Sequence, residues 1–144
     1  MKITEALVAE HTIFLGVFDQ IERALPSLNT PAEVGTMARI VEGMLEGHAK
    51  SETDLAYLAL DHVLENHGGL ERMHQEHYEI DGRLQKVRTA KTCAEARRLL
   101  KTAITFSREH FRGEEKNVFP LLEKALQDET LLELGKVWME RRAA

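Results

Sequence analysis

The chain has 144 residues, of which 43% are hydrophobic and 30% charged, and its formal net charge is −5. These values predict one soluble domain over residues 1–144, and the acidic balance disfavours nucleic acid as a partner because phosphate binding requires a basic face. Neither a membrane span nor a signal peptide is expected, since no apolar run reaches roughly 18 residues and acidic residues interrupt the apolar stretch near the N-terminus.

Few prolines and long stretches of helix-forming residues predict an all-α protein. The first helix is predicted from about residue 4 to residue 25, where Pro26 ends it. The second opens on a capping box made by Thr30 and Glu33, and it is expected to end near residues 66–69, where two glycines are typical of a helix C-terminus.

Three further helices are predicted in the second half of the chain. The third runs from about Leu70 to residues 88–91. The fourth opens on a second Thr-x-x-Glu capping box at Thr92 and Glu95, and Pro120 is expected to kink it or to begin a new turn. A short fifth helix is predicted over residues 128–142.

One pattern of glutamate and histidine occurs twice. Each copy has a Glu-His pair on one helix and, on the next helix, a histidine followed by a glutamate four residues later. The copies are Glu10-His11 with His48 and Glu52, and Glu76-His77 with His110 and Glu114. His48 and His110 are 62 residues apart, as are the two capping boxes, so caps and histidines repeat in one register. We interpret this repetition as an internal duplication.

The spacing of the repeated pattern predicts a two-metal site inside a helix bundle. Residues four apart share one face of a helix, so each histidine and its glutamate can point inward together. A carboxylate can bridge two metals, and imidazole with carboxylate suits iron, manganese or zinc rather than calcium or magnesium. His74, three residues before His77, adds a fifth imidazole, and such a ligand set leaves one coordination position open for O₂, peroxide or NO.

These residues carry a resemblance to a known family: His11, His48-Ala-Lys-Ser-Glu52, His77 within Glu-His-Tyr-Glu-Ile, and the run His-Phe-Arg-Gly-Glu-Glu-Lys-Asn-Val-Phe-Pro that begins at His110. Over about residues 1–127 the chain resembles the hemerythrin family, in particular its HHE cation-binding domains. The resemblance implies an up-down four-helix bundle over about residues 4–127, followed by the fifth helix. It also implies a non-haem di-iron centre with two iron ions, bridged by Glu52 and Glu114; manganese and zinc stay open as alternatives.

Two features depart from the oxygen-carrying members of that family. Their paired histidines on the third helix are four residues apart, whereas His74 and His77 are three apart. Their fourth-helix carboxylate is an aspartate five places after the histidine, a position that Glu115 holds in this chain. Both departures favour the HHE branch over an oxygen carrier. The predicted metal ligands are His11, His48, Glu52, His74, His77, His110 and Glu114.

The predicted function is the binding or sensing of a small ligand, O₂ first and NO second, at a di-iron centre. A histidine-rich ligand set favours stable binding over oxygenation. The alternatives are a di-iron enzyme acting on peroxide or NO, which would need a redox partner that the sequence does not identify, and an iron donor or sensor in iron homeostasis. No catalytic triad or phosphate-binding loop is visible in the sequence.

Several other residues receive plainer interpretations. His62 and His67 are expected in solvent or at a helix end, and Glu115 is expected to be exposed. The glutamates that precede ligand histidines are expected to face water or to support the ligands from behind; they are Glu10, Glu76 and Glu109. The single Cys93 is expected to have a packing or surface role, and a lone cysteine fits a reducing, cytoplasmic setting.

Overall fold

The computed structural model describes residues 1–64 and 68–144, and within these ranges it is helical with no strand. The all-α prediction is therefore confirmed. The elements in chain order are α1 (Ile3–Ala24), a 3₁₀ turn (Leu25–Ser27), α2 (Pro31–Ser51), π1 (Glu52–Tyr57), α3 (Leu58–Val63), α4 (Gly68–Thr89), α5 (Cys93–Gly113), π2 (Glu114–Val118), α6 (Phe119–Ala125) and α7 (Asp128–Ala143).

The helix starts follow the capping signals in the sequence. The Thr30 side chain accepts a hydrogen bond from Glu33 N–H at 3.2 Å, and Glu33 Oε2 accepts one from Thr30 N–H at 2.9 Å, which completes the capping box of α2. Thr92 likewise accepts from Glu95 N–H at 3.1 Å at the start of α5. Both helices therefore begin one residue after their predicted caps.

The expected end of the second helix differs from the structure. The last helical residue before the gap is Val63, and Gly68 and Gly69 belong to the first turn of α4. The glycines thus open a helix, which tolerates them near its frayed end, and do not close the preceding one. His67, which was expected near this point, lies outside the described residues.

A segment of π-helix follows α2, and another follows α5 at the equivalent place in the second copy of the pattern. The segment π1 begins at Glu52, directly after α2, and π2 begins at Glu114, directly after α5. Pro120 is the second residue of α6, where a helix start needs no N–H from it. The chain stays helical through Pro120, so the expected kink or new turn is not seen there as a break, and the departure from α-helix begins six residues earlier, at Glu114.

The core consists of two clusters of buried apolar side chains. The first includes Phe14, Phe18, Val41, Leu84, Leu100, Ile104 and Phe111. The second includes Ile3, Leu7, Leu55, Tyr57, Leu60, Leu122 and Leu131. Along α1, His11 lies between Leu7 of the second cluster and Phe14 of the first. The buried histidines and glutamates therefore form a polar layer between the two apolar clusters. They are His11, His48, Glu52, His110 and Glu114.

The fifth helix predicted over residues 128–142 is present as α7, and it packs along α1. Leu131 is fully buried, and Lys2 Nζ lies 2.7 Å from Asp128 Oδ1 at the start of the helix. Elsewhere α4 packs against both α2 and α5. Within the described part of the chain, no helix is both long enough and apolar enough to cross a membrane.

Candidate metal centre

The polar layer buries side chains that an apolar core normally excludes. Glu52, Glu114 and His11 have no exposed surface, and His48 and His110 are exposed by only 2% and 3%. Transfer of a carboxylate from water to such an environment is costly unless cations or donors surround it. Positive charge at the centre of the layer is therefore needed to offset the cost of burying the carboxylates.

The ligand atoms of the layer form two overlapping groups. In each group the atoms all lie within 4.8 Å of one another. The groups are His11, His48, Glu52 and Glu114, and Glu52, His77, His110 and Glu114. Since both glutamates belong to both groups, the layer offers two adjacent positions for a metal ion that would share two carboxylates.

Each shared carboxylate divides its oxygens between the two groups. Glu52 Oε1 lies 3.0 Å from His48 Nε2, whereas Glu52 Oε2 lies 3.2 Å from His77 Nε2. Glu114 Oε2 lies 3.4 Å from His11 Nε2, whereas its Oε1 lies 3.3 Å from His110 Nε2. This is the division that a carboxylate bridging two ions requires.

Several of these buried atoms have no hydrogen-bond partner within the described residues. They are both oxygens of Glu52, Oε2 of Glu114, and Nε2 of His77 and of His110. Buried polar atoms without partners are rare in folded proteins, and each carries a desolvation cost. A pair of cations between them would satisfy all five at once, so the donor set fits a two-metal centre.

Three of the histidines are hydrogen-bonded through Nδ1 to a carboxylate outside the two groups. The Nδ1–H groups of the rings donate at 2.8 Å in each case, from His48 to Glu10, from His110 to Glu76, and from His11 to Glu115. With Nδ1 donating outward, Nε2 is the nitrogen that faces a metal. The supporting role expected for Glu10 and Glu76 agrees with this geometry, whereas Glu109 is exposed. Glu115 is 40% exposed, yet it also supports a histidine.

Tyr57 is a site residue that the repeated pattern of histidine and glutamate does not include. Its buried hydroxyl donates to Glu114 Oε1, and its ring stacks on His77 at a centroid distance of 5.6 Å. On an α-helix, Tyr57 would point well away from Glu52, five residues earlier. In a π-helix the residue five places on lies one turn away, so π1 directs both side chains into the layer. An interpretation of the sequence as α-helix alone could not reveal this.

His74 lies outside both groups. Its ring makes an edge contact with Tyr57, with centroids 5.2 Å apart at an interplanar angle of 89°. A residue three places before His77 is rotated from it on the helix, and here this rotation turns His74 toward Tyr57. Its role as a ligand stays a prediction. Outside the layer, His62 is exposed, and Cys93 donates to the Leu28 carbonyl at 3.3 Å.

The charges in the layer oppose the effect of burial on its histidines. Burial lowers the pKa of His48, but the charge of Glu52 and the hydrogen bond to Glu10 outweigh it and raise the pKa to about 10. For His110, burial is again outweighed, here by Glu114 and Glu52, and the pKa rises to about 9. Burial raises the pKa of Glu52, but His48 and His11 hold it well below its ordinary value. Protons thus balance the carboxylates wherever a metal does not.

A small cavity borders ligands of both groups. Its volume is about 20 Å³, and it is lined by Leu45, His48, Ala49, His77, Ile80, Asp81, His110 and Phe111. Such a volume accommodates a molecule of about the size of one water. Most of the wall is apolar, and its polar residues are three histidines and Asp81.

Histidine and glutamate side chains that project inward from a helix bundle define a carboxylate–histidine metal protein. The family model described as Hemerythrin HHE cation binding domain matches residues 2–122 of the chain. The chain belongs to the hemerythrin family, which confirms the resemblance drawn from the sequence. No curated protein and no solved structure gives a significant match. The helix α7, over Asp128–Ala143, follows the matched residues.

Proposed function

We propose that the chain holds two iron ions in the polar layer and there binds or senses a small ligand, O₂ first and NO second. The observation that supports this best is the division of both buried carboxylates between two groups of histidines. Cation binding follows from the family and the ligand cluster; the metal, the number of ions and the ligand are the proposal.

Six residues carry the proposed coordination. His11 and His48 would bind one ion, His77 and His110 would bind the other, and Glu52 and Glu114 would bridge both. His74 is the seventh proposed ligand, and it would have to turn away from Tyr57 to reach an ion. A lower metal content in His74→Ala would support that assignment, and an unchanged content would remove it.

The donor set supports iron over the hard cations. Mixed imidazole and carboxylate ligands suit iron, manganese or zinc, whereas calcium and magnesium prefer oxygen alone. Iron, when bound, would supply reversible one-electron redox chemistry. The protein would contribute fixed ligands, closely packed apolar walls and the exclusion of bulk water, because the residues at the centre of the layer are fully buried.

The cavity beside His77 and His110 supports a small ligand. Its volume of about 20 Å³ suits a diatomic molecule and excludes a larger substrate. Its apolar wall favours an uncharged guest such as O₂ or NO. These features favour binding over the turnover of a large organic substrate.

A second candidate is a di-iron enzyme acting on peroxide or NO. The Tyr57 hydroxyl favours it, since this O–H group lies inside the layer and donates to Glu114. Burial and the charges of Glu52 and Glu114 raise the pKa of Tyr57, so the group holds its proton in neutral solution. Its single O–H could donate a hydrogen bond to a ligand or a substrate by turning away from Glu114.

The architecture proposed for this function is a single up-down bundle that works in the cytoplasm. Short connections reverse the chain between α1 and α2 and between α4 and α5, and in both cases the joined helices pack together. These contacts support antiparallel neighbours.

Metal analysis of the anaerobically purified protein, with optical spectra before and after air, tests the proposal. About two irons per chain and a new band that disappears when O₂ is removed would support reversible binding. Irreversible oxidation, with multiple turnovers of peroxide or NO in the presence of a reductant, would favour the enzyme. A protein with no iron or with a single zinc would contradict the di-iron proposal.

A further inference from the structure

The C-terminal helix α7 reaches the polar layer, although it follows the residues that match the family. Arg142 Nε lies 2.8 Å from Glu10 Oε1, and Arg142 also donates to the Gly47 carbonyl at 3.2 Å. Trp138 Nε1–H donates to Glu10 Oε2 at 3.4 Å. Two side chains of α7 therefore converge on one carboxylate of α1.

That carboxylate is the one that holds His48. Glu10 Oε2 accepts the Nδ1–H of His48 at 2.8 Å, while Glu10 Oε1 is bound by Arg142. Both oxygens of Glu10 are thus engaged, and the side chain is only 12% exposed. A carboxylate fixed at both oxygens fixes the ring that donates to it, and so directs His48 Nε2 into the layer.

The pair on α7 is itself preorganised. The Arg142 guanidinium lies over the Trp138 ring, 5.3 Å from its centroid. Arg142 is 33% exposed, so it joins Glu10 at the protein surface and bridges it to Gly47 of α2, the residue directly before His48. One planar cation therefore ties α1, α2 and α7 together behind a single metal ligand.

Close packing against the N-terminus fixes where α7 lies. Gly135 is buried, and a Cβ atom there would overlap the Met1 carbonyl oxygen and crowd Ile3 N at 3.1 Å. Leu131, one turn earlier, is fully buried in the second apolar cluster. The register of α7 on α1, and hence the reach of Arg142 to Glu10, depends on this contact.

We propose that α7 is part of the metal site: Arg142 and Trp138 are positioning residues that hold Glu10, and through it they hold His48 toward the metal. The inference rests on the proposed binding of two ions. The inference adds that α7, which lies outside the family-matched residues, controls how tightly one of the two ions is held.

The test is the release of iron from the full chain, loaded anaerobically with Fe²⁺, to an excess of a chelator. In the wild type, two ions are expected to leave in two phases, one for each group of histidines. Arg142→Gln should accelerate one phase on the order of 10-fold, the lower end of the range for residues that support a ligand, and leave the other phase unchanged. Trp138→Phe, which keeps the ring and removes the N–H, should accelerate the same phase less.

Two further variants separate positioning from a general effect on the fold. Arg142→Lys keeps the charge but loses the planar guanidinium with its several N–H donors. It should therefore release iron more slowly than Arg142→Gln and faster than the wild type. Lys136→Gln removes a cation from the same helix at a position that is 61% exposed and that pairs, among the described residues, with Glu133 alone; it should release iron as the wild type does. Gly135→Ala should displace α7 and accelerate the same phase as Arg142→Gln.

A spectroscopic readout identifies the affected ligand. In the Co²⁺-loaded protein, the imidazole N–H protons of bound histidines are expected as shifted, exchangeable proton resonances. Arg142→Gln should move or broaden the His48 resonance and leave that of His110 in place, with unchanged helical circular dichroism. Two ions released at the wild-type rates from Arg142→Gln would overturn the role of α7 alone. A wild-type chain that binds no metal would overturn both this inference and the proposed function.

Discussion

The two halves of the polar layer come from one repeated pattern, yet they differ in how they are enclosed. In the first half, His11 and His48 are buried to 98% or more, and α7 covers the carboxylate behind His48. In the second half, His77 is 13% exposed, and two histidines of this half, His77 and His110, line the small cavity, against His48 alone from the first half. Both copies carry the same kinds of candidate ligand, while the surroundings of the ligands differ. The closed half suits the retention of an ion, and the second half suits access by a ligand.

The same divergence marks the two aromatic rings of the layer. Tyr57 and Phe119 are 62 residues apart and so occupy equivalent places in the two copies. Each stacks on a histidine of the other copy at a centroid distance of 5.6 Å, Tyr57 on His77 and Phe119 on His11. The hydroxyl is present only on the tyrosine, beside the accessible half. The rings are therefore equivalent in packing and different in chemistry.

Glu52 and Glu114, which are proposed to bridge the two ions, set the largest expected effect, because they belong to both halves. Glu52→Ala or Glu114→Ala should reduce the metal content from two ions per chain to one or none, with the helical content largely retained. The reason is that each removes one oxygen ligand from both positions. His62→Ala, at an exposed position, is the control and should leave the metal content unchanged. Two ions per chain in both glutamate variants, measured by elemental analysis, would contradict the bridging role.

Acid should weaken metal binding. A metal must displace the protons on His48 and His110, whose pKa values are raised to about 10 and about 9. At pH 7 both histidines should therefore release a proton on binding, and at pH 11 neither should. Isothermal calorimetry of Co²⁺ binding in buffers with different ionisation enthalpies measures the number of protons released. A proton count independent of pH from 7 to 11 would contradict the raised pKa values.

The stability of the metal-free chain follows from the same shifts. Because folding raises the pKa of His48 and His110 above the ordinary value of 6.5, their contribution is fully present below pH 6.5 and disappears as the pH rises through about 9 and 10. Because folding lowers the pKa of Glu52, its contribution is present above the ordinary value of 4.5 and disappears as the pH falls through the lowered pKa. Urea denaturation should therefore find the metal-free chain less stable at pH 10 than at pH 6, and metal should remove this difference.

The supporting carboxylates should reveal the asymmetry directly. Glu10→Gln and Glu76→Gln keep the shape of the side chain and remove the charge behind His48 and His110. Each should weaken metal affinity by roughly 10–100-fold. The effect should be larger at Glu10, because Arg142 is 33% exposed and loses its partner, whereas Arg72 beside Glu76 is 79% exposed and well solvated. Competition with a chelator of known affinity measures both constants, and equal losses would contradict the asymmetry.

The sequence was sufficient for the part of the site that depends on local periodicity. Histidine and glutamate four apart on an α-helix face the same way, so the spacing alone pairs His48 with Glu52. The capping boxes located the starts of α2 and α5 for the same reason. The expected end of the second helix was wrong, because that helix already ends at Val63 and the two glycines lie in the first turn of α4.

The remaining features depend on tertiary contacts and on departures from α-helical geometry. Tyr57 enters the layer because π1 changes the angle between residues five apart, and no composition signal marks a π-helix. Arg142 reaches Glu10 across 132 residues of sequence. One of two adjacent arginines at the end of a C-terminal helix gives no sign of such a distant partner.

The smallest expected effect concerns the one chemical difference between the aromatic rings. Tyr57→Phe should make the two halves alike in packing, since Phe119 already stacks without a hydroxyl, and should leave two ions bound. It removes a buried hydrogen bond to Glu114, so the metal-free chain should lose about 1–3 kcal/mol in its free energy of unfolding. Tyr78→Phe is the matched control, because that ring is 74% exposed and should change neither quantity. If the hydroxyl serves only the packing of the layer, the oxygenated spectrum of Tyr57→Phe should match that of the wild type. An altered spectrum, or a faster loss of the oxygenated form, would mean that the tyrosine interacts with the ligand itself and that the accessible half is also the reactive one.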